Sequence, residues 1–144
     1  MNKADIAEGN FKSGLNCAQS VLLAFAGDFG ADTGTARRIA RGFGSGMATG
    51  DICGVVSGGV MAIALSVSDE GDAAIIKKKT YDLAREFKRR FLEETGTLMC
   101  RDLLGYDIND PEAVKSVPRD KQARQYCVRY VRLAAGILED MLVP

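Results

Sequence analysis

Gly54-Val55-Val56-Ser57-Gly58-Gly59-Val60-Met61-Ala62-Ile63-Ala64-Leu65 is the stretch on which the fold turns. It is apolar on nearly all sides, as expected of an element enclosed by others, and its β-branched residues suit a buried strand as well as a helix. Length arbitrates for the helix. A run of about 14 residues is long for a strand, and Gly58-Gly59 would weaken it there, whereas in a packed helix two glycines permit close backbone approach. The uncharged run from Ile52 to Val67 spans 16 residues, short of the roughly 20 that a membrane-spanning helix needs. A buried central helix is the reading, with the rest of the chain arranged around it.

Immediately upstream, the chain from Gly42 to Gly59 holds seven of the sixteen glycines and delivers Cys53 to the start of this helix. Before it, Asp32 or Thr33 caps a short helix whose inner face is Ala36, Ile39, Ala40 and Phe43, with Arg37, Arg38 and Arg41 on a solvated outer face. Earlier still, Asn16 is a fitting N-cap that puts Cys17 in the first turn of a helix, followed by the apolar stripe Ala18, Val21, Leu22, Phe25 and Phe29. Residues 3–13 make a first short helix with Ile6 and Phe11 inward.

Downstream, the polar turn Asp69 to Asp72 leads into a long amphipathic helix over about 73–95, with Ile76, Thr80, Leu83, Ala84, Phe87 and Phe91 inward. Lys77, Lys78, Lys79, Arg85, Lys88, Arg89 and Arg90 make its outer face basic. That face is read as solvated, with an anion-binding or homo-oligomer surface as the alternative. Cys100 opens a single helical turn closed by Gly105, Asp110-Pro111-Glu112 starts another short helix, and Pro118 breaks it. The last helix carries Val128, Val131, Ala135, Leu138 and Leu142, and a start near Tyr126-Cys127 is favoured over one at Asp120. The expectation is an all-α protein, a single-domain bundle of about six or seven helices over residues 1–144.

Composition narrows the function classes. Nineteen basic residues balance nineteen acidic ones, which argues against a nucleic-acid or anionic-membrane surface. The amino terminus has an early acid and no apolar segment before a cleavage site, so no signal peptide is read and a cytoplasmic location is expected. Histidine is absent, which removes Cys-His dyads, Ser-His-Asp triads and mixed Cys/His metal sites. No pair of acids stands apart from capping and solvated-face roles.

The four cysteines, Cys17, Cys53, Cys100 and Cys127, are separated by 36, 47 and 27 residues. None forms a C-x-x-C pair, so any site they build is assembled by the tertiary fold. Cys17, Cys53 and Cys100, and Cys127 under the later start of the last helix, fall in first turns of helices, where unpaired N–H groups and the positive dipole end stabilise a thiolate and lower its pKa. The plain alternative for each is a small buried hydrophobe. Arg101 could favour the Cys100 thiolate, and Tyr106 and Tyr130 could donate to sulfur; surface arginine and core tyrosine are the competing readings. The glycine run Gly42-Phe43-Gly44-Ser45-Gly46 is not a dinucleotide fingerprint, because that motif needs a preceding strand and these residues follow a helix.

As an ordered set, these segments resemble a family of redox-active proteins of about this length that share four cysteines in the pattern C, CGAxxG, C, C. Gly14-Leu15-Asn16-Cys17-Ala18-Gln19 is similar to its first segment and Cys53-Gly54-Val55-Val56-Ser57-Gly58 to its CGAxxG. Cys100 to Gly105 resembles the third, and Cys127 with Tyr130-Val131-Arg132 and Ile137-Leu138 the last. Val55 stands where the family has alanine, adding bulk beside Cys53, and Leu15 stands where an aromatic is usual. The resemblance implies a helical, redox-associated protein and leaves its reaction open.

Three classes of function remain. The first is thiol–disulfide electron transfer with an unidentified redox partner, Cys53 attacking and Cys17 or Cys100 resolving. The second is a site in which all four thiolates bind an iron–sulfur cluster or zinc. The third is a non-catalytic helical module with structural cysteines.

Overall fold

The computed structural model describes residues 1–121 and 123–144; the side chains of residues 120, 123 and 124 also lie outside that description. The chain is all-α. Its longer helices are α1 (Lys3–Lys12), α2 (Cys17–Ala26), α3 (Thr33–Ala40), α4 (Gly54–Ser66) and α5 (Ala73–Thr95). Short segments α6 (Cys100–Leu104), α7 (Pro111–Ser116) and α8 (Ala123–Tyr126) lead to α9 (Val128–Leu142). The last long helix therefore starts at the later of the two positions considered. The alternative start at Asp120 falls on a side chain outside the description. No helix among the described residues is long and apolar enough to cross a membrane.

The glycine stretch folds as anticipated into a helix, and the reason lies in its neighbours. The α2–α4 contact is the most extensive in the fold. A Cβ on Gly58 would sit 2.4 Å from the Ala18 carbonyl oxygen, and one on Gly59 would sit 2.5 Å from the Phe87 ring. Backbone meets backbone at the first, and an aromatic ring lies against backbone at the second. Val55, Val56, Ala62 and Ile63 of α4 are fully buried, together with Phe25 of α2, Phe87 and Phe91 of α5, and Val131 and Leu138 of α9. Each such phenylalanine contributes about 2 kcal/mol of apolar burial. Val55 lies in this core, so its extra bulk goes into packing.

Polar contacts fix how the helices meet. Lys3 Nζ donates to the Ala24 carbonyl oxygen at 2.7 Å and pairs with Asp28 while lying over the Phe25 ring. That closes the carboxyl end of α2 with a cation, where the helix dipole favours one. Arg132 of α9 pairs with Asp5 and Glu8 of α1, and Arg90 of α5 reaches Asp140 of α9 at 2.7 Å. The basic face of α5 is laced by its own acids, with Lys78 to Asp82 at 2.7 Å and Arg90 to Glu86 at 2.9 Å.

Three expectations change. Ile39 is 60% exposed, because the inner strip of α3 is only Ala36 and Ala40, narrow enough to leave the neighbouring isoleucine outside. On α5 only Phe87 and Phe91 are fully buried, whereas Ile76, Thr80, Leu83 and Ala84 are half-buried; only the latter part of this helix reaches the core. The end of α4 is also not enclosed, since Ala64 and Leu65 are exposed.

The glycine contacts generate a paired prediction for chemical denaturation. Gly58→Ala should cost about 2–3 kcal/mol by overpacking against α2. Gly136→Ala in α9, where an added Cβ meets nothing within 4 Å, should instead stabilise by about 0.5–1 kcal/mol through helix propensity.

Candidate functional site: a cavity lined by four cysteines

Cys17 is the first residue of α2, and its position is set by the residue before it. Asn16 Oδ1 accepts from the Gln19 backbone N–H at 2.9 Å, and the Gln19 side-chain oxygen accepts from the Asn16 N–H at 3.0 Å. This reciprocal capping box satisfies two donors that the helix start would otherwise leave open. The same two side chains donate onward, Gln19 to the Arg37 carbonyl oxygen at 2.9 Å and Asn16 to that of Arg41 at 2.8 Å. The start of α2 is thereby bolted to the end of α3.

The glycine-rich loop then passes over the sulfur. Ser45, Gly46, Met47 and Ala48 take successive left-handed conformations, with φ of 54°, 61°, 55° and 69°. Three of these carry a Cβ, at a cost of about 1–2 kcal/mol each. The outer end of the loop is held by Arg101 Nε on the Gly50 carbonyl oxygen at 3.1 Å, Arg101 on Asp51 at 3.0 Å, and Asn109 on the Thr49 carbonyl oxygen at 2.9 Å. Ser45 and Cys17 line the same cavity, and the Ser45 backbone N–H is one of the groups that lower the Cys17 pKa.

Cys53 and Cys100 are joined by an isolated antiparallel bridge between Ile52 and Met99. The Cys53 N–H donates to the Leu98 carbonyl oxygen at 2.8 Å, and the Cys100 N–H donates to that of Asp51 at 2.7 Å. The alternation of side chains along extended backbone places both cysteines on one face of this bridge. Cys53 then caps α4, Cys100 opens α6, and Cys127 stands at the cap position of α9.

All four cysteines are free and line one open cavity of about 70 Å³ together with Phe11, Asn16, Ser45 and Leu104. Cys17, Cys53 and Cys100 are buried and Cys127 is half-buried. Gly54 completes the seat of Cys17, because a Cβ there would lie 2.4 Å from the Cys17 sulfur. Among the described residues, no three cysteine or carboxylate side chains are arranged to hold one metal ion.

The thiol acidities are unequal. Cys17 is lowered to about 6, first by the hydrogen bond from the Cys53 thiol and then by the N–H groups of Ser45, Ala18 and Cys17 itself, which together outweigh its burial. Cys53 is raised well above an ordinary thiol, because its proton is the one donated to Cys17, because it is buried, and because a thiolate stands beside it. Burial raises Cys100 to about 11 and Cys127 to about 12. The expectation that helix starts lower several of these thiols thus holds for Cys17 alone: Cys53 is raised first by Cys17 and then by burial, and Cys100 and Cys127 by burial.

Arg101 lowers Cys100 only weakly, its guanidinium being engaged by Gly50 and Asp51. The Tyr130 hydroxyl donates to the Leu103 carbonyl oxygen at 3.3 Å and rings of Phe91 and Tyr126 surround it, the core role rather than a sulfur contact. Gln19, Ser45 and Gly54 escape a sequence reading as site residues. The Asn-x-x-Gln spacing carries the signal for Gln19, and the glycine after cysteine in the CGAxxG segment carries one for Gly54; the backbone role of Ser45 has none.

A family model described as "Putative redox-active protein (C_GCAxxG_C_C)" matches residues 15–141 and so takes in all four cysteine segments. Among curated proteins and solved structures, none matches the chain.

The geometry predicts one thiolate at neutral pH. Titration followed by thiolate ultraviolet absorbance should show a single ionisation near 6, which Cys17→Ser abolishes and which Gly54→Ala moves upward by displacing the sulfur. Because Cys17 is ionised in the folded chain above about 6 but in the unfolded chain only above about 9, the unfolded state binds more protons in that window. Stability should therefore rise with pH between these values and fall as pH drops through 6. In Cys17→Ser the slope should flatten.

Proposed function

The chain belongs to the redox-active C_GCAxxG_C_C family, and from that premise we propose that it performs a two-electron thiol–disulfide cycle with Cys17 as nucleophile and Cys53 as resolving thiol. The observation that carries this reading is that Cys17 and Cys53 line one cavity, with the Cys17 sulfur seated against Gly54, the residue next to Cys53. The Cys17 thiol is lowered to about 6 and that of Cys53 is pushed up, the division of labour that thiol exchange requires. In the forward half-cycle the Cys17 thiolate attacks a partner disulfide, breaking its S–S bond; Cys53 then displaces the partner's remaining sulfur from Cys17, and the partner leaves reduced, as one thiol carrying the Cys53 proton and one thiolate. In the reverse half-cycle an external thiol opens the disulfide. Cys100 and Cys127, both held protonated, stand on the same cavity as secondary partners.

Zinc or an iron–sulfur cluster on Cys17, Cys53, Cys100 and Cys127 has less support. A four-thiolate site needs all four sulfurs deprotonated and directed at a common point. Here no three such ligands among the described residues share an ion-sized point.

Mass spectrometry after equilibration in oxidised and reduced dithiothreitol buffers tests the reading. The oxidised chain should be lighter by two hydrogen atoms and yield a Cys17–Cys53 linked peptide, absent in Cys17→Ser and Cys53→Ser. Four free thiols at every potential would sink the proposal. Anaerobic purification with metal and thiol counts tests the alternative, since stoichiometric iron or zinc with no titratable thiols would favour it.

A further inference from the structure

Two departures from the expected burial, one on α3 and one on α4, fall on the same groove. Ile39 of α3 is 60% exposed and Leu65 of α4 37%. Both line an open concavity with Leu22, Ala36, Met61 and Ala64. Met61, Ala64 and Leu65 stand at i, i+3 and i+4, one face of α4, and Ala36 and Ile39 stand three apart on α3. The groove is therefore walled by two helix faces, and nothing else among the described residues covers its open side. A lone exposed isoleucine would need no explanation, but a contiguous apolar face marks a site of association.

We propose that this face is the interface of a two-fold symmetric dimer, in which Ile39 of each copy enters the groove between α3 and α4 of the other. The inference does not depend on the thiol cycle. The groove and the cysteine cavity share no lining residue, so the pairing uses none of the residues around the sulfurs.

Self-complementarity is what selects a second copy. A two-fold interface presents the same patch from both sides, so the patch must carry its own knob, its own hole and opposite charges on either side of the axis. The face of α3 has all three. Ile39 is the knob, and it stands at the rim of the hole. Charge runs from Asp32 at the amino end of the helix to Arg38 and Arg41 at its carboxyl end. Asp32 Oδ2 accepts from the Thr35 N–H at 2.8 Å and from its hydroxyl at 2.6 Å, while Oδ1 has no partner among the described residues. Arg38 and Arg41 are exposed, lie where the groove continues past Thr35 and Ile39, and pair with no carboxylate among the described residues. Two copies of α3 set antiparallel across an axis near its middle bring the arginines of each toward Asp32 of the other, with the helix dipoles opposed. Rim pairs of this kind add little affinity and fix orientation, whereas the apolar insertion supplies the affinity. A wholly acidic partner would answer the arginines but meet Asp32 with like charge.

Sedimentation velocity on the full chain, kept reduced so that no intermolecular disulfide contributes, tests the proposal from micromolar to submillimolar concentration. The chain should sediment as a dimer in the upper part of that range. Ile39→Asp and Ile39→Lys should sediment as monomers with unchanged circular dichroism, because Ile39 is exposed in the single chain. Arg38→Glu combined with Arg41→Glu should weaken the dimer at least about tenfold at low salt, and the difference should narrow at high salt. Lys79→Glu on α5 should leave the dimer intact. A monomer at every concentration would overturn the proposal. So would a dimer that survives both Ile39 variants, or one that Lys79→Glu breaks, since the contact would then be the basic face of α5. Assemblies that keep growing beyond two copies would overturn the two-fold arrangement.

Discussion

The close approach of α2 and α4 is the constraint from which the rest follows. It exists because two positions on α4 lack a Cβ. At Gly58 the missing atom lets the helix backbone rest against the Ala18 carbonyl, and at Gly54, one turn earlier, it leaves the space that the Cys17 sulfur occupies. The same helix–helix contact therefore serves packing at one end and chemistry at the other. Cys53, the residue before Gly54, is brought to the same cavity as Cys17 by that approach, although 36 residues separate them in the chain.

The loop above this contact is expensive and is held by more than its own backbone. Ser45, Met47 and Ala48 occupy left-handed conformations that L-residues avoid, and Arg101 and Asn109 grip the loop from the far side of the site. The return for that strain is local. It turns the Ser45 N–H toward the Cys17 sulfur and, through the Ile52–Met99 bridge, carries Cys100 to the same cavity. Strain of this kind is found where surrounding structure over-determines a conformation that a site needs.

Electrostatics then select one sulfur. A buried cavity tolerates a single negative charge far better than two, because each further thiolate loses solvation and is repelled by the first. Cys17 is that charge because the donors converge on it: a thiol and backbone N–H groups on one side, Gly54 making room on the other. Cys53, Cys100 and Cys127 stay protonated for the complementary reason. The position of a cysteine at a helix start is thus insufficient. At Cys53 the neighbouring Cys17 and then burial prevail over the helix end, and at Cys100 burial does, whereas at Cys17 a neighbouring thiol supplies what the helix end alone does not.

The sequence by itself determined the helical class, the central helix from its apolar run and paired glycines, the Asn16 cap that places Cys17, and the ordered cysteine segments that carry the family. Those features are local, set by periodicity and by residues within a turn of one another. Tertiary structure alone decided that Ile39 faces outward, that Val55 packs into the core, and that the acidic thiol is Cys17 and not Cys53. Each depends on what arrives from a distant part of the chain: an alanine-sized contact, a helix face, or a Ser45 N–H presented by a left-handed loop. The thiolate is held by groups from positions 17, 18, 45 and 53, and only the folded backbone puts them around one sulfur, because no spacing in a linear sequence records which sulfur a glycine makes room for.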